Sequence, residues 1–197
     1  MYFDWNAHRF SGGVLALDLA NTVIFRQTPD RSQDRFADVS ELPRFAAAAA
    51  SFRSVEWGDV RFQAPTLQDE ISTLIEVREA INRLFRTSVV ENGFSPKHVS
   101  DFFRLGSELI GDVQEEQSLV LPPFGERHEL SLSVAAILSA MRLFEPARLS
   151  RIKICPNCHW LYFDASRNLS RRWCDMNVCG NRAKAKRHYH RKGAGHA

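Results

Sequence analysis

The chain has 197 residues, 44% of them hydrophobic and 25% charged. That is the make-up of a water-soluble globular protein with room for one ordinary domain and a small appendage. No apolar run approaches the roughly 20 residues that cross a bilayer, and the opening MYFDWNAHRF lacks the basic region and apolar core of a secretory signal. No membrane partner is therefore expected, and the cytoplasm is the expected location.

The net charge of +3 conceals an asymmetry. Residues 1–147 carry 14 Lys+Arg against 21 Asp+Glu, a net of −7, whereas residues 148–197 carry 12 against 2, a net of +10. An acidic body followed by a basic module points to a polyanionic partner for the module alone. The alternative is that the basic module packs its charges against the acidic body of its own chain.

The first patterned segment, Val14 to Ile24 (VLALDLANTVI), places Leu15, Leu19 and Val23, and Leu17, Ala20 and Ile24, at helical offsets, which predicts a mostly buried helix. Asp18 and Asn21 sit inside it and need hydrogen-bond partners if buried. They are candidates for a ligand site, set against the reading that they cap neighbouring backbone and hold the fold. Residues 26–40 are polar and read as a loop. Ser40 then caps a helix over Glu41 to Phe52, with Pro43 in its first turn. Trp57-Gly58-Asp59 marks a break, and Arg61 to Pro65 reads as a linker.

Thr66 is a candidate N-cap, with Asp69 in the place a capping box puts an acid. The helix it opens runs to about Glu91 on the pattern Leu67, Ile71, Leu74, Ile75, Ile81, Leu84, Phe85, Val89. Asn92-Gly93 ends it. Ser95-Pro96 starts another helix to about Leu109. Ser118–Pro122 and His128–Ser131 flank Pro123-Phe-Gly125 as a small β-hairpin. Leu132 to Glu145 is an apolar helix that Pro146 stops. The body ends at about 147, and the near absence of linker residues implies that body and module pack together.

All four cysteines lie in the basic module, as Cys155-x2-Cys158 and Cys174-x4-Cys179 with 15 residues between the pairs. This spacing is that of a four-thiolate zinc site with no position left open for water, hence one structural Zn2+. Two disulfides are the alternative, disfavoured in a reducing compartment. Ile152–Ile154 reads as a strand into the first knuckle. His159–Phe163 and Arg171–Cys174 are expected to pair across a polar turn, with Trp160, Tyr162, Phe163 and Trp173 mostly packing around the metal. A helix from about Gly180 to Arg191 follows. Arg182, Lys184, Lys186, Arg187, Arg191 and Lys192 lie on or just beyond it with no acid among them, and Arg171 and Arg172 could join the same surface. Such cations neutralise phosphates and release counterions, and a helix of this kind can enter a major groove.

Cys179-Gly180-Asn181-Arg182 reads CGNR behind the CPNC knuckle, and LALDLANTV is similar to the L-x-L-D-x-x-N-T motif that opens ABATE domains. The chain thus resembles, at both ends, bacterial proteins in which an ABATE domain precedes a CGNR zinc finger. The resemblance implies a stress-induced transcription regulator. The expected fold is mainly α: a helical domain with a small β-hairpin over residues 1–147, then a treble-clef-like four-cysteine finger (α+β) over 148–197. DNA is the expected partner of the finger. RNA or an acidic protein surface in place of DNA, a homodimeric state, and an unidentified small-molecule effector bound by the helical domain stay open as alternatives. No phosphate loop, H-E-x-x-H or nucleophile elbow occurs, so an enzyme is not expected.

Overall fold

The architecture comes from a computed structural model and is described for residues 3–111 and 128–193. At its centre is the short helix α1, Leu15–Ala20. All six of its residues are at most 1% exposed, as expected of a helix that is apolar all round but for Asp18. Burying Leu15, Leu17 and Leu19 contributes about 1.5–3 kcal/mol each. Helix α1 is shorter than the periodicity predicts. Asn21 closes it, the Thr22 hydroxyl bonds back to the Leu19 carbonyl at 2.8 Å, and Val23–Ile24 leave as strand β1, antiparallel to β2, Gln33–Asp34.

The remaining helices of the body wrap this core. Helix α2 spans Glu41–Phe52. Ser40 does not cap it: its hydroxyl and N–H both bond Asp38 instead. A single turn α3, Ser54–Trp57, ends at Gly58. Strand β3, Val60–Gln63, occupies what reads as linker, because its partner is far away in sequence: it pairs in parallel with β4, His128–Ser131. Residues 118–122, the other half of the expected hairpin, lie outside the described residues.

Helix α4, Gln68–Glu91, is the longest. The acid that holds its start is Glu70, not Asp69. Its carboxylate accepts the Thr66 and Leu67 N–H groups at 2.9 and 3.1 Å, and those bonds lower its pKa. Asn92 ends α4 in the left-handed conformation. Helices α5, Pro96–Gly111, and α6, Leu132–Met141, follow, and α4 and α6 both pack on α1. Pro146 stops the apolar segment by opening another short turn, α7, Pro146–Leu149. Among the described residues no helix is long and apolar enough to cross a membrane.

In the C-terminal module, β5, Ile152–Ile154, pairs antiparallel with β6, Leu161–Phe163, around the first knuckle. The expected pairing of β6 with 171–174 does not form. The cause is Asp164, whose buried carboxylate gathers the intervening loop. It accepts from the Ser166 N–H and hydroxyl, from the Arg171 N–H and from Lys153 Nζ. Burial alone would raise its pKa, but the Lys153 and Ser166 hydrogen bonds outweigh that and hold it well below the usual carboxylate range. A wide turn, Met176–Gly180, leads into α8, Asn181–Gly193.

Candidate metal centre and nucleic-acid interface

The sulfurs of Cys155, Cys158, Cys174 and Cys179 all lie within 4.8 Å of one another. The Cys158–Cys174 and Cys174–Cys179 separations are 3.4 and 3.6 Å. A tetrahedron with zinc–sulfur bonds of about 2.3 Å has edges of about 3.8 Å, so the cluster fits one zinc ion with all four positions taken by sulfur. No histidine joins the cluster among the described residues. Cys155, Cys174 and Cys179 are fully buried. Asn157 in the first knuckle donates to the Cys179 sulfur at 3.4 Å, a contact between the two pairs that spacing alone does not reveal. Trp160 and Tyr162 are buried and Trp173 half-buried around the cysteines, as their crowding predicts.

The body clasps this module at several points. Asn21 mimics a neighbouring strand: its amide donates to the Leu161 carbonyl at 2.8 Å and accepts the Leu161 N–H at 3.0 Å. The Phe163 N–H bonds the Gly12 carbonyl at 2.8 Å. Gly13 beside it adopts φ +91°, and a Cβ there would come within 3.3 Å of the Phe163 Cβ. His8 stacks on Trp160 and bonds the Asp175 carboxylate at 2.8 Å. Asp175 in turn accepts the Asn177 and Val178 N–H groups in the turn before α8. Burial lowers the His8 pKa, more than Asp175 raises it.

Asp18 has no exposed side-chain surface and pairs with Arg53 at 2.5 Å. It also accepts the Gly12 N–H at 2.9 Å. Burial pushes its pKa up to about 7 against the pull of Arg53. Asp18 and Asn21 are therefore both bonded within the fold, Asp18 inside the body and Asn21 across the seam.

The cations expected to face phosphates separate into two groups. Arg171 turns inward: its guanidinium donates to the carbonyls of Trp173, Phe163, Ser11 and Cys174 and lies over the Tyr162 ring. It braces the finger, because β6, the segment ending at Cys174 and Ser11 of the body all present backbone acceptors to it. Arg172 is exposed and lies over Trp173 at 5.3 Å. Arg182, Lys184, Lys186 and Arg187 are exposed on α8, and among the described residues none is paired with a carboxylate. The side chains of Arg191 and Lys192, on the last turn, lie outside the described residues. The Asn181 amide bonds the Asn177 carbonyl at 2.8 Å and so braces the turn. Sequence reasoning missed Arg9. It is half-buried on the 3-10 turn Ala7–Phe10 with its guanidinium 4.7 Å over the Phe3 ring, and burial first, then repulsion by Arg182, lowers its pKa.

These features define a class: a small finger built on one structural zinc, carrying an exposed cationic helix and clasped to a helical body. Residues 151–192 match the CGNR zinc finger, and residues 13–120, more than half of the chain, match the ABATE family, described as "Putative stress-induced transcription regulator". The chain belongs to the ABATE family and carries a CGNR zinc finger at its C-terminal end. No curated protein matches it.

Proposed function

We propose that the protein is a zinc-dependent DNA-binding transcription regulator whose helix α8 contacts duplex DNA. It acts by binding rather than by catalysis, in the cytoplasm. The observation that carries this reading is the free cationic face of α8: Arg182, Lys184, Lys186 and Arg187 are exposed and have no carboxylate partner among the described residues.

The family description supports the regulatory half of the reading. The charge and exposure of α8 support the nucleic-acid half, since each phosphate neutralised releases a counterion. Zinc enters as the scaffold. A module with so small a core draws much of its folding energy from the metal, so the helix has a defined position only when the four sulfurs are gathered.

The test is selection of bound sequences from random duplex DNA by the full chain, with and without a zinc chelator, in the presence of competing structured RNA. The expected result is enrichment of a shared DNA site that vanishes with the chelator. Equal retention of base-free acidic polymers with no enriched site would remove the regulator reading, and preferential capture of the RNA would move the function to RNA.

A further inference from the structure

Four singly charged thiolates around one doubly charged zinc leave a dianion. In a buried site that charge is costly unless cations stand close by. The finger supplies one: Arg171, without a carboxylate partner among the described residues, donates to the carbonyls of Trp173 and Cys174 beside a zinc ligand.

The second comes from the body. Arg86, on α4, reaches across the seam and donates through Nη2 to the His159 carbonyl at 2.8 Å. His159 follows Cys158 directly, and its own N–H bonds the Cys155 carbonyl at 2.9 Å. Arg86 and Cys158 line one narrow crevice with Trp160 and Arg26.

Among the described residues no acid of the body pairs with Arg86. Its other bond is a long one, 3.4 Å, to the Asn82 side-chain oxygen. Its Nη1 is buried and has no partner. The neighbouring charge is another cation, Arg26, which is itself bound to Glu79 at 2.7 Å. Burial, then the charge of Arg26, lowers the Arg86 pKa below the usual guanidinium range. Among the described residues of the body, this half-buried cation has no carboxylate bound to it.

We infer that Arg86 is a counter-charge to the zinc–thiolate dianion, so that helix α4 of the body forms part of the finger's metal site. Zinc affinity is then a property of the two parts together. Loss of zinc leaves the end of α4 with an uncompensated cation, and displacement of α4 weakens the hold on zinc.

The test measures zinc affinity of the full chain by competition with a chelating indicator at neutral pH. Arg86→Gln removes the charge but keeps a donor for the His159 carbonyl, and Arg86→Lys keeps the charge. Arg83→Gln, exposed on the same helix, is the control. Partners outside the ligand shell typically change metal affinity by about 10–100-fold. Arg86→Gln is expected to weaken zinc by that factor, with Arg86→Lys and Arg83→Gln within a few-fold of the unaltered chain. Unchanged affinity in Arg86→Gln overturns the inference. So does equal loss in Arg86→Gln and Arg86→Lys, which would make the role one of shape. Equal loss in Arg83→Gln would overturn it as well. If Arg86→Gln does not fold, Arg86→Met replaces it as the uncharged arm, matched in length to Arg86→Lys.

Discussion

Replacing Asn21 by alanine removes a contact through which the body holds the edge of β6. The Asn21 amide makes two bonds, of 2.8 and 3.0 Å, to the carbonyl and N–H of Leu161. Asn21 is 4% exposed and Leu161 fully buried, so water does not replace the lost partner. A buried backbone group left unsatisfied costs about 1–3 kcal/mol, and two of them give about 2–6 kcal/mol. The assay is urea unfolding of the zinc-loaded full chain, compared with Asn168→Ala, whose exposed side chain is expected to matter by no more than about 0.5 kcal/mol. Zinc content is expected to persist in Asn21→Ala, because both bonds of the Asn21 amide go to the Leu161 backbone and neither to a cysteine sulfur. A loss below about 0.5 kcal/mol would refute the claim that this amide fastens finger to body.

Three further outcomes are expected. Gly12→Ala places a Cβ 2.6 Å from an Asp18 carboxylate oxygen and 2.9 Å from the Asp18 backbone nitrogen. It should cost about 1–3 kcal/mol in thermal unfolding, and an unchanged melting temperature would contradict the close approach. Asp18 has its pKa raised to about 7 from a usual value near 3.9. The folded state therefore holds its proton more tightly, and its contribution is fully present below about pH 4 and lost as pH rises through about 7. Asp18→Asn should accordingly gain stability relative to the unaltered chain as pH rises across that window, and a pH-independent difference would count against it. Arg171→Gln should destabilise the zinc-loaded finger without a specific change in the salt dependence of DNA binding, since its guanidinium faces carbonyls. An altered salt slope at full stability would return Arg171 to the phosphate-facing set.

The parts legible in the sequence are those whose chemistry is local. Cysteine spacing declares the metal, because a four-sulfur site needs only two short turns brought together. The apolar run of α1 announces a buried helix, and the acid-free stretch after Cys179 announces an exposed cationic one. Distant pairing is where the reading falls short. Strands β3 and β4 meet in parallel from separate parts of the chain, and the alternation of β3, with Val60 and Phe62 buried and Arg61 and Gln63 exposed, runs over four residues only and names no distant partner. The aromatic segment after His159 reads as a hairpin with Arg171–Cys174, whereas Leu161–Phe163 pairs with Ile152–Ile154 across the first knuckle. Arg171 and Arg182 look alike on paper. One finds a ring of carbonyls and the other faces outward, a distinction set by tertiary contacts and not by residue type. Asn21 carried half a signal: its burial demanded a partner, and the partner proved to be the finger.

The most direct measurement of the central claim is the salt dependence of duplex DNA affinity for the zinc-loaded full chain. The unaltered protein is compared with a variant carrying Lys184→Gln, Lys186→Gln and Arg187→Gln. Each phosphate contact contributes a slope of about −0.9 in a plot of log affinity against log salt, so three lost contacts should flatten the line by roughly 2.7 and weaken binding at low salt. An identical slope and affinity in the variant, with zinc still bound, would contradict the assignment of α8 as the DNA-contacting element.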